Sequence, residues 1–170
     1  SNAFSLHSSG KIKQAADIYD FLIQNKIYDP RVFNNLGSIY SNLKQFDKAI
    51  LLFDESIKRF PNSPEAYTNL ANVMVIKGKS DIAKKILKKV IELNPKYLKP
   101  YSNLAGIFVG EGNFEKAEFF LRKSLEISPK DINALVNLAC VLKDLGNPKQ
   151  AERFLRDALE INPNYDSALV

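Results

Sequence analysis

Four asparagines, Asn35, Asn69, Asn103 and Asn137, stand 34 residues apart, each directly before a leucine. A side-chain amide breaks no bonds, but it carries two donors and an acceptor, the set needed to pair with the N–H and C=O of another backbone. Asparagine inside a helix costs about 0.5 kcal/mol relative to alanine, so a column of four asks for a compensating bond. Groups able to move protons or attack carbonyls are sparser. His7 is the single histidine and lies near the chain start, where a frayed side chain makes a poor general base. Cys140 is the single cysteine, so no internal disulfide forms, and one Cys with one His makes no transition-metal set. A small filler on a partly buried helix face describes Cys140 better than a reactive thiol does.

Gly106, Gly110 and Gly112 form a glycine-rich stretch, but no Gly-Lys-Ser/Thr follows, which favours a helix end and a turn over a phosphate loop. Carboxylates such as Glu115 and Glu118 recur at helical spacing and suit a solvated face. Lys84, Lys85, Lys88 and Lys89 share a helix whose apolar positions are Ala83, Ile86, Leu87, Val90 and Ile91. The lysines therefore fall on its outer side, and without interleaved aromatics they argue against a nucleic-acid partner or an anionic membrane. These residues predict no catalytic group, no metal, no cofactor and no enzyme.

The elements that position the asparagines follow from the same 34-residue period. It aligns Ala15, Ala49, Ala83, Ala117 and Ala151; Leu36, Leu70, Leu104 and Leu138; and Pro61, Pro95, Pro129 and Pro163. Phe33, Tyr67, Tyr101 and Leu135 precede each leucine by three, and Gly37, Ala71, Ala105 and Ala139 follow it. Spacings of three and four predict two amphipathic helices per unit, 30–43 and 46–59 in the first complete one. Gly10, Gly78, Gly112 and Gly146 suit the left-handed turn between the helices, with Lys44 the departure at that place. Ser63-Pro64 and Asn147-Pro148 read as helix caps followed by first-turn prolines. Small residues let paired helices approach, and each pair completes its core against the next.

The pattern Phe33-Leu36-Gly37-Tyr40-Ala49-Phe53-Ser56-Pro61 resembles the tetratricopeptide repeat family and recurs over residues 30–165. The departures are an absence of Trp, and Leu22, Ser56, Val90 and Ser124 where alanine is usual. The resemblance implies an all-α fold, a right-handed superhelical solenoid of antiparallel helix pairs. The organisation read from it is a tag remnant at 1–3, a partial repeat at 4–29, full repeats at 30–63, 64–97, 98–131 and 132–165, and a truncated further repeat beginning at 166–170.

Composition agrees with a globular protein: 45% of the 170 residues are hydrophobic and 25% charged. The net charge of +5 is only mildly basic. No apolar run approaches the roughly 20 residues of a membrane span, and residues 1–14 lack the features of a secretory signal. A fragment of a longer cytoplasmic protein is the expectation.

In the family that the repeats resemble, first helices line a concave groove. That places Asn35, Asn69, Asn103 and Asn137 near the groove, with Asn34, Ser38, Asn72, Lys99, Ser102 and Cys140 around them, and with Arg31, Asn42, Glu65, Thr68, Gly106, Asn133 and Val136 as further lining. The column is similar to the asparagine ladder of the superhelical repeat region of O-linked N-acetylglucosamine transferases, which grips substrate backbone. The same position also bonds neighbouring helices in the general repeat, and from sequence both roles stay open. Chaperone-tail adaptors of the family use a clamp of Lys, Asn and Arg. Here Asn34, Thr68, Ser102 and Val136 stand where the first clamp lysine would be, and asparagine replaces the clamp arginine throughout.

The implied function is a protein-interaction scaffold that binds an extended polypeptide in its concave groove, the partner being a protein or peptide of unspecified identity. The alternative is the substrate-recruitment module of a larger glycosyltransferase or sulfotransferase whose catalytic domain lies outside this chain. Apolar faces exposed at the cut repeat ends would add self-association.

Overall fold

A computed structural model describes residues 2–165; Ser1 of the expected tag remnant and the expected further repeat at 166–170 lie outside the described residues. Those residues form helices and turns, with no strand among them. The helices are α1 (Asn2–Ser8), α2 (Ile12–Gln24), α3 (Pro30–Asn42), α4 (Phe46–Arg59), α5 (Pro64–Ile76), α6 (Ser80–Leu93), α7 (Lys99–Gly110), α8 (Phe114–Ile127), α9 (Ile132–Asp144) and α10 (Pro148–Ile161). The expected pair at 30–43 and 46–59 appears as α3 and α4, within one residue at each end.

The chain divides into two compact units, Ser1–Ile86 and Leu87–Val170, with the boundary inside α6. In the first, α1 packs on α2, α2 on α3, α3 on α4, and both α3 and α4 on α5. In the second, α7 packs on α8, α8 on α9 and α9 on α10.

Local chemistry sets the helix ends. Asp29 accepts a hydrogen bond from Arg31 N at 2.8 Å and caps α3, Asn113 caps α8 through Lys116 N at 3.2 Å, and Asp131 caps α9 through Ala134 N at 3.2 Å. Ser63 and Asn147 make no such side-chain bond. The Ser63 hydroxyl donates instead to Glu65 Oε2 at 2.8 Å, and the prolines that open both helices supply a preset helical φ without needing that bond. At the turns inside each pair, Lys44 adopts φ 59° where the other copies place glycines at φ 70–78°. Lys26 also has φ 59°. It ends α2 where the following residue is Ile27 rather than the proline of later repeats, and the freed Ile27 N–H closes onto Leu22 O at 2.9 Å.

Each unit is filled by the repeat columns. One cluster of the first unit joins Ala3, Ala15, Tyr19, Val32, Leu36 and Ile39; another joins Ala49, Phe53, Leu70 and Val73. Ala3, expected to be tag remnant, is 2% exposed and stands one period before Gly37, so it serves α1 as the small residue of the column. Leu135, Val136 and Ala158 anchor a cluster of the second unit. Ser56 and Ser124 replace the usual alanine at one repeat position, and both are fully buried with Oγ atoms that find no partner.

Candidate functional site

The first-helix face of each unit carries a cavity. In the first unit a space of about 250 Å³ lies between α3 and α5, lined by Ser38, Ser41, Asn42, Phe53, Asn69, Asn72 and Ile76. In the second a space of about 190 Å³ lies between α7 and α9, lined by Ser102, Ala105, Gly106, Val109, Leu121, Asn137, Cys140, Val141 and Asp144. The two occupy equivalent places two repeat lengths apart: Phe53 corresponds to Leu121, Asn69 to Asn137, Asn72 to Cys140 and Ile76 to Asp144.

The asparagine column divides on inspection. Asn35 is tied to the scaffold, its Nδ2 donating to Tyr19 Oη at 3.1 Å. Tyr19 is fully buried, and burial pushes its phenol pKa up, with the Asn35 bond pulling weakly the other way. Asn69 and Asn137 instead line the cavities and bond to no side chain or backbone group among the described residues. Asn103 is half-buried outside both cavities.

Among the flanking residues expected at the groove, Ser38 and Asn72 join Asn69, while Ser102 and Cys140 join Asn137. The Ser38 hydroxyl donates to Asn34 O at 2.7 Å, which leaves its oxygen able to accept. Lys99 is exposed on the first turn of α7 and touches neither cavity. Asn34 departs from the expected open lining: it is 8% exposed, and Oδ1 has no partner. Thr68 and Val136, at the same repeat position, are 2% and 6% exposed. One residue along a helix turns the side chain by about 100°, and here that rotation carries it from the face into the packing. Three of the four positions where a first clamp lysine would stand are thus taken into the packing, while Ser102, the fourth, is half-buried and lines the second cavity.

His7 is half-buried with its ring edge-on to Tyr19, centroids 6.2 Å apart, which gives it a packing role. No group of three or more His, Cys, Asp or Glu suited to a metal occurs among the described residues. Asn133, a further expected lining residue, accepts a 2.6 Å hydrogen bond from the Tyr165 hydroxyl.

Family models described as tetratricopeptide repeat match residues 30–63, 52–85 and 108–170. The chain belongs to the tetratricopeptide repeat family. Its fold is accordingly an all-α helical solenoid of that family.

Solved tetratricopeptide structures agree. TTC0263, a thermophilic TPR protein of Thermus thermophilus, superposes with a TM-score of 0.79 at 20% identity, covering 98% of this chain and 91% of its own. A MamA structure gives 0.78 at 20% identity over 98% and 97%. YrrB, described as a TPR protein with an unusual peptide-binding site, gives 0.70 at 20% identity over 98% and 86%. At these identities the likeness is one of fold. No curated protein matches the chain.

The tetratricopeptide register also explains which site residues sequence reasoning missed. Ile76 and Asp144 each lie seven residues after a cavity asparagine, and Asn72 and Cys140 three after, so all share one helix face. Asn72 and Cys140 were already expected at the groove, and extending the column by one more helical step would have found Ile76 and Asp144. Ser41 and Val109, on the preceding first helices, follow from the same rule applied to Ser38 and Gly106.

Proposed function

We propose that this array is a non-enzymatic protein-interaction scaffold that holds extended polypeptide along the first-helix face of each unit, with Asn69 in the first and Asn137 in the second pairing to backbone. The observation that carries the reading is the placement of these two amides, which face repeat-equivalent cavities and have no bond to any described residue. An amide fixed on a helix and left with both donors and its acceptor suits a ligand backbone, whatever the ligand sequence. Ser38, Asn42 and Asn72 add neutral polar groups beside Asn69, in keeping with tolerant recognition. The peptide-binding site named for YrrB adds the ligand class, on the same fold. We place the scaffold in the cytoplasm, following the sequence argument; among the described residues no helix is long and apolar enough to cross a membrane.

The test is selection of binders from a random peptide library, followed by affinity measurement on Asn69→Ala with Asn137→Ala. Each lost backbone pairing is worth about 1 kcal/mol, so the double variant binds roughly fivefold more weakly at each unit. Its melting temperature stays near that of the parent. Asn35→Ala, which strips a bond from buried Tyr19, lowers the melting temperature and leaves affinity nearly unchanged. Unaltered affinity in the Asn69/Asn137 variant would refute the backbone role.

A further inference from the structure

The two cavities are equivalent in position and different in chemistry. Where the first unit presents Ser38, Ser41 and Ile76, the second presents Gly106, Val109 and Asp144. The exchange removes two hydroxyls, leaves Ser102 beside Ala105, Gly106 and Val109 on that wall, and sets a carboxylate at its end. Gly106 contributes no side chain, and nothing lies within 4 Å of where its Cβ would stand, so the cavity is open above it. Leu121 at 1% and Val141 at 2% exposure close its base.

Asp144 is exposed and closes α9, where the helix's own carbonyls already make the potential negative. It forms no ion pair with any described residue. Lys143 precedes it, but adjacent helical side chains diverge and do not face each other. A cation arriving over the groove is therefore favoured by the carboxylate and by the helix end together.

We infer that the cavity of the second unit is a specificity pocket for an extended segment carrying an aliphatic residue and, within the next two positions, a lysine or arginine. The inference rests on the groove reading above. The aliphatic side chain enters over Gly106 beside Val109 and Cys140, the Asn137 amide holds the backbone, and the cation meets Asp144. Seven helical residues separate Asn137 from Asp144, a rise of about 10 Å. Two residues of extended chain advance about 7 Å, and a long cationic side chain spans the rest.

The experiment pans a random-sequence peptide library against the whole chain and against Asp144→Asn, Asp144→Lys and Gly106→Leu, each checked for an unchanged helical melt. The parent enriches aliphatic residues followed by Lys or Arg, by about fivefold over neutral followers at low salt, the scale of one exposed ion pair. High salt erodes that preference. Asp144→Asn loses it, and Asp144→Lys reverses it toward Asp and Glu. Gly106→Leu fills the cavity and loses the aliphatic preference while keeping the basic one. Enriched peptides that show the same charge preference in Asp144→Lys as in the parent overturn this inference and leave the groove reading standing. Absence of enrichment by every protein overturns both.

Discussion

Replacing Gly37 by alanine puts the packing rule of the repeat under direct test. A Cβ built on Gly37 would stand 2.5, 2.8 and 2.9 Å from Cε1, Cζ and Cδ1 of Phe53. Carbon atoms rest at about 3.5–4.0 Å, so the ring must retreat by roughly 1 Å. Phe53 is 1% exposed, and the one open space it borders is the cavity it lines with Ser38 and Asn69, so retreat displaces it from its packed position. Overpacking of this kind costs about 1–3 kcal/mol, against which alanine returns about 1 kcal/mol of helix propensity over glycine. Gly37→Ala alone is therefore expected to lose up to about 2 kcal/mol. The chain itself shows the compensation: later copies pair Ala71 with Leu87, Ala105 with Leu121 and Ala139 with Leu155. Phe53→Leu alone leaves space beside Gly37 and costs about 1–2 kcal/mol, a fraction of a full truncation to alanine. In the double variant the new methyl enters that space, so its stability returns to within about 1 kcal/mol of the parent. Because repeat arrays need not unfold in one step, the assay is hydrogen exchange of the α3 and α4 amides alongside the thermal melt. Additive effects of the two substitutions, or stabilisation by Gly37→Ala while Phe53 is present, would refute the reasoning.

Two further outcomes follow from buried polar groups. Ser56→Ala and Ser124→Ala each remove an unpartnered, fully buried hydroxyl and restore the family's usual residue. Each is expected to stabilise its unit by about 1 kcal/mol, read from denaturant midpoints. Alkaline stability should also fall in the first unit. Burial raises the pKa of Tyr19, and burial together with the charges of Asp20 and Asp17 raises that of Tyr40. A phenol whose folded pKa exceeds its unfolded value of about 10 contributes fully below that pH and loses its contribution as pH rises through the folded value. Melting temperature measured across that range should drop, and Tyr19→Phe with Asn35→Leu, which removes both bonded groups, should drop less steeply.

The fold was legible because its determinants are local and repeated. Alanine, leucine and proline columns mark which helix faces meet and where each unit ends, and α3 and α4 appear within a residue of their expected spans. Where a local rule has more than one physical solution, the reading went less far. Ser63 was expected to cap α5, but its hydroxyl bonds Glu65 instead. Lys26 takes the left-handed turn that proline makes unnecessary in later units. Asn34 was placed at the groove from its position on a first helix, yet it is 8% exposed and its amide is carried into the packing.

The candidate site shows why identical residues in one register need not share a role. All four column asparagines are followed by leucine, and the residues before them, Asn34, Thr68, Ser102 and Val136, do not foretell which one is bonded to the scaffold. What separates Asn35 is Tyr19, sixteen residues earlier on α2, a large phenol whose hydroxyl needs a partner once the ring is buried. At successive repeat lengths, Phe53, Leu87, Leu121 and Leu155 stand where Tyr19 does, and none carries a polar atom to offer. Asn69 and Asn137 therefore lack the bond that anchors Asn35 and remain turned to the cavities. At Asn35 a second-helix tyrosine consumes the asparagine of the next repeat, and at Asn69 and Asn137 the apolar Phe53 and Leu121 offer no such bond. That contrast predicts that Phe53→Tyr, by drawing Asn69 into the scaffold, should weaken peptide binding in the first unit alone. Melting temperature and affinity measured together on that variant decide it: a stable fold with unchanged affinity for a selected peptide would show that Asn69 acts in some other way.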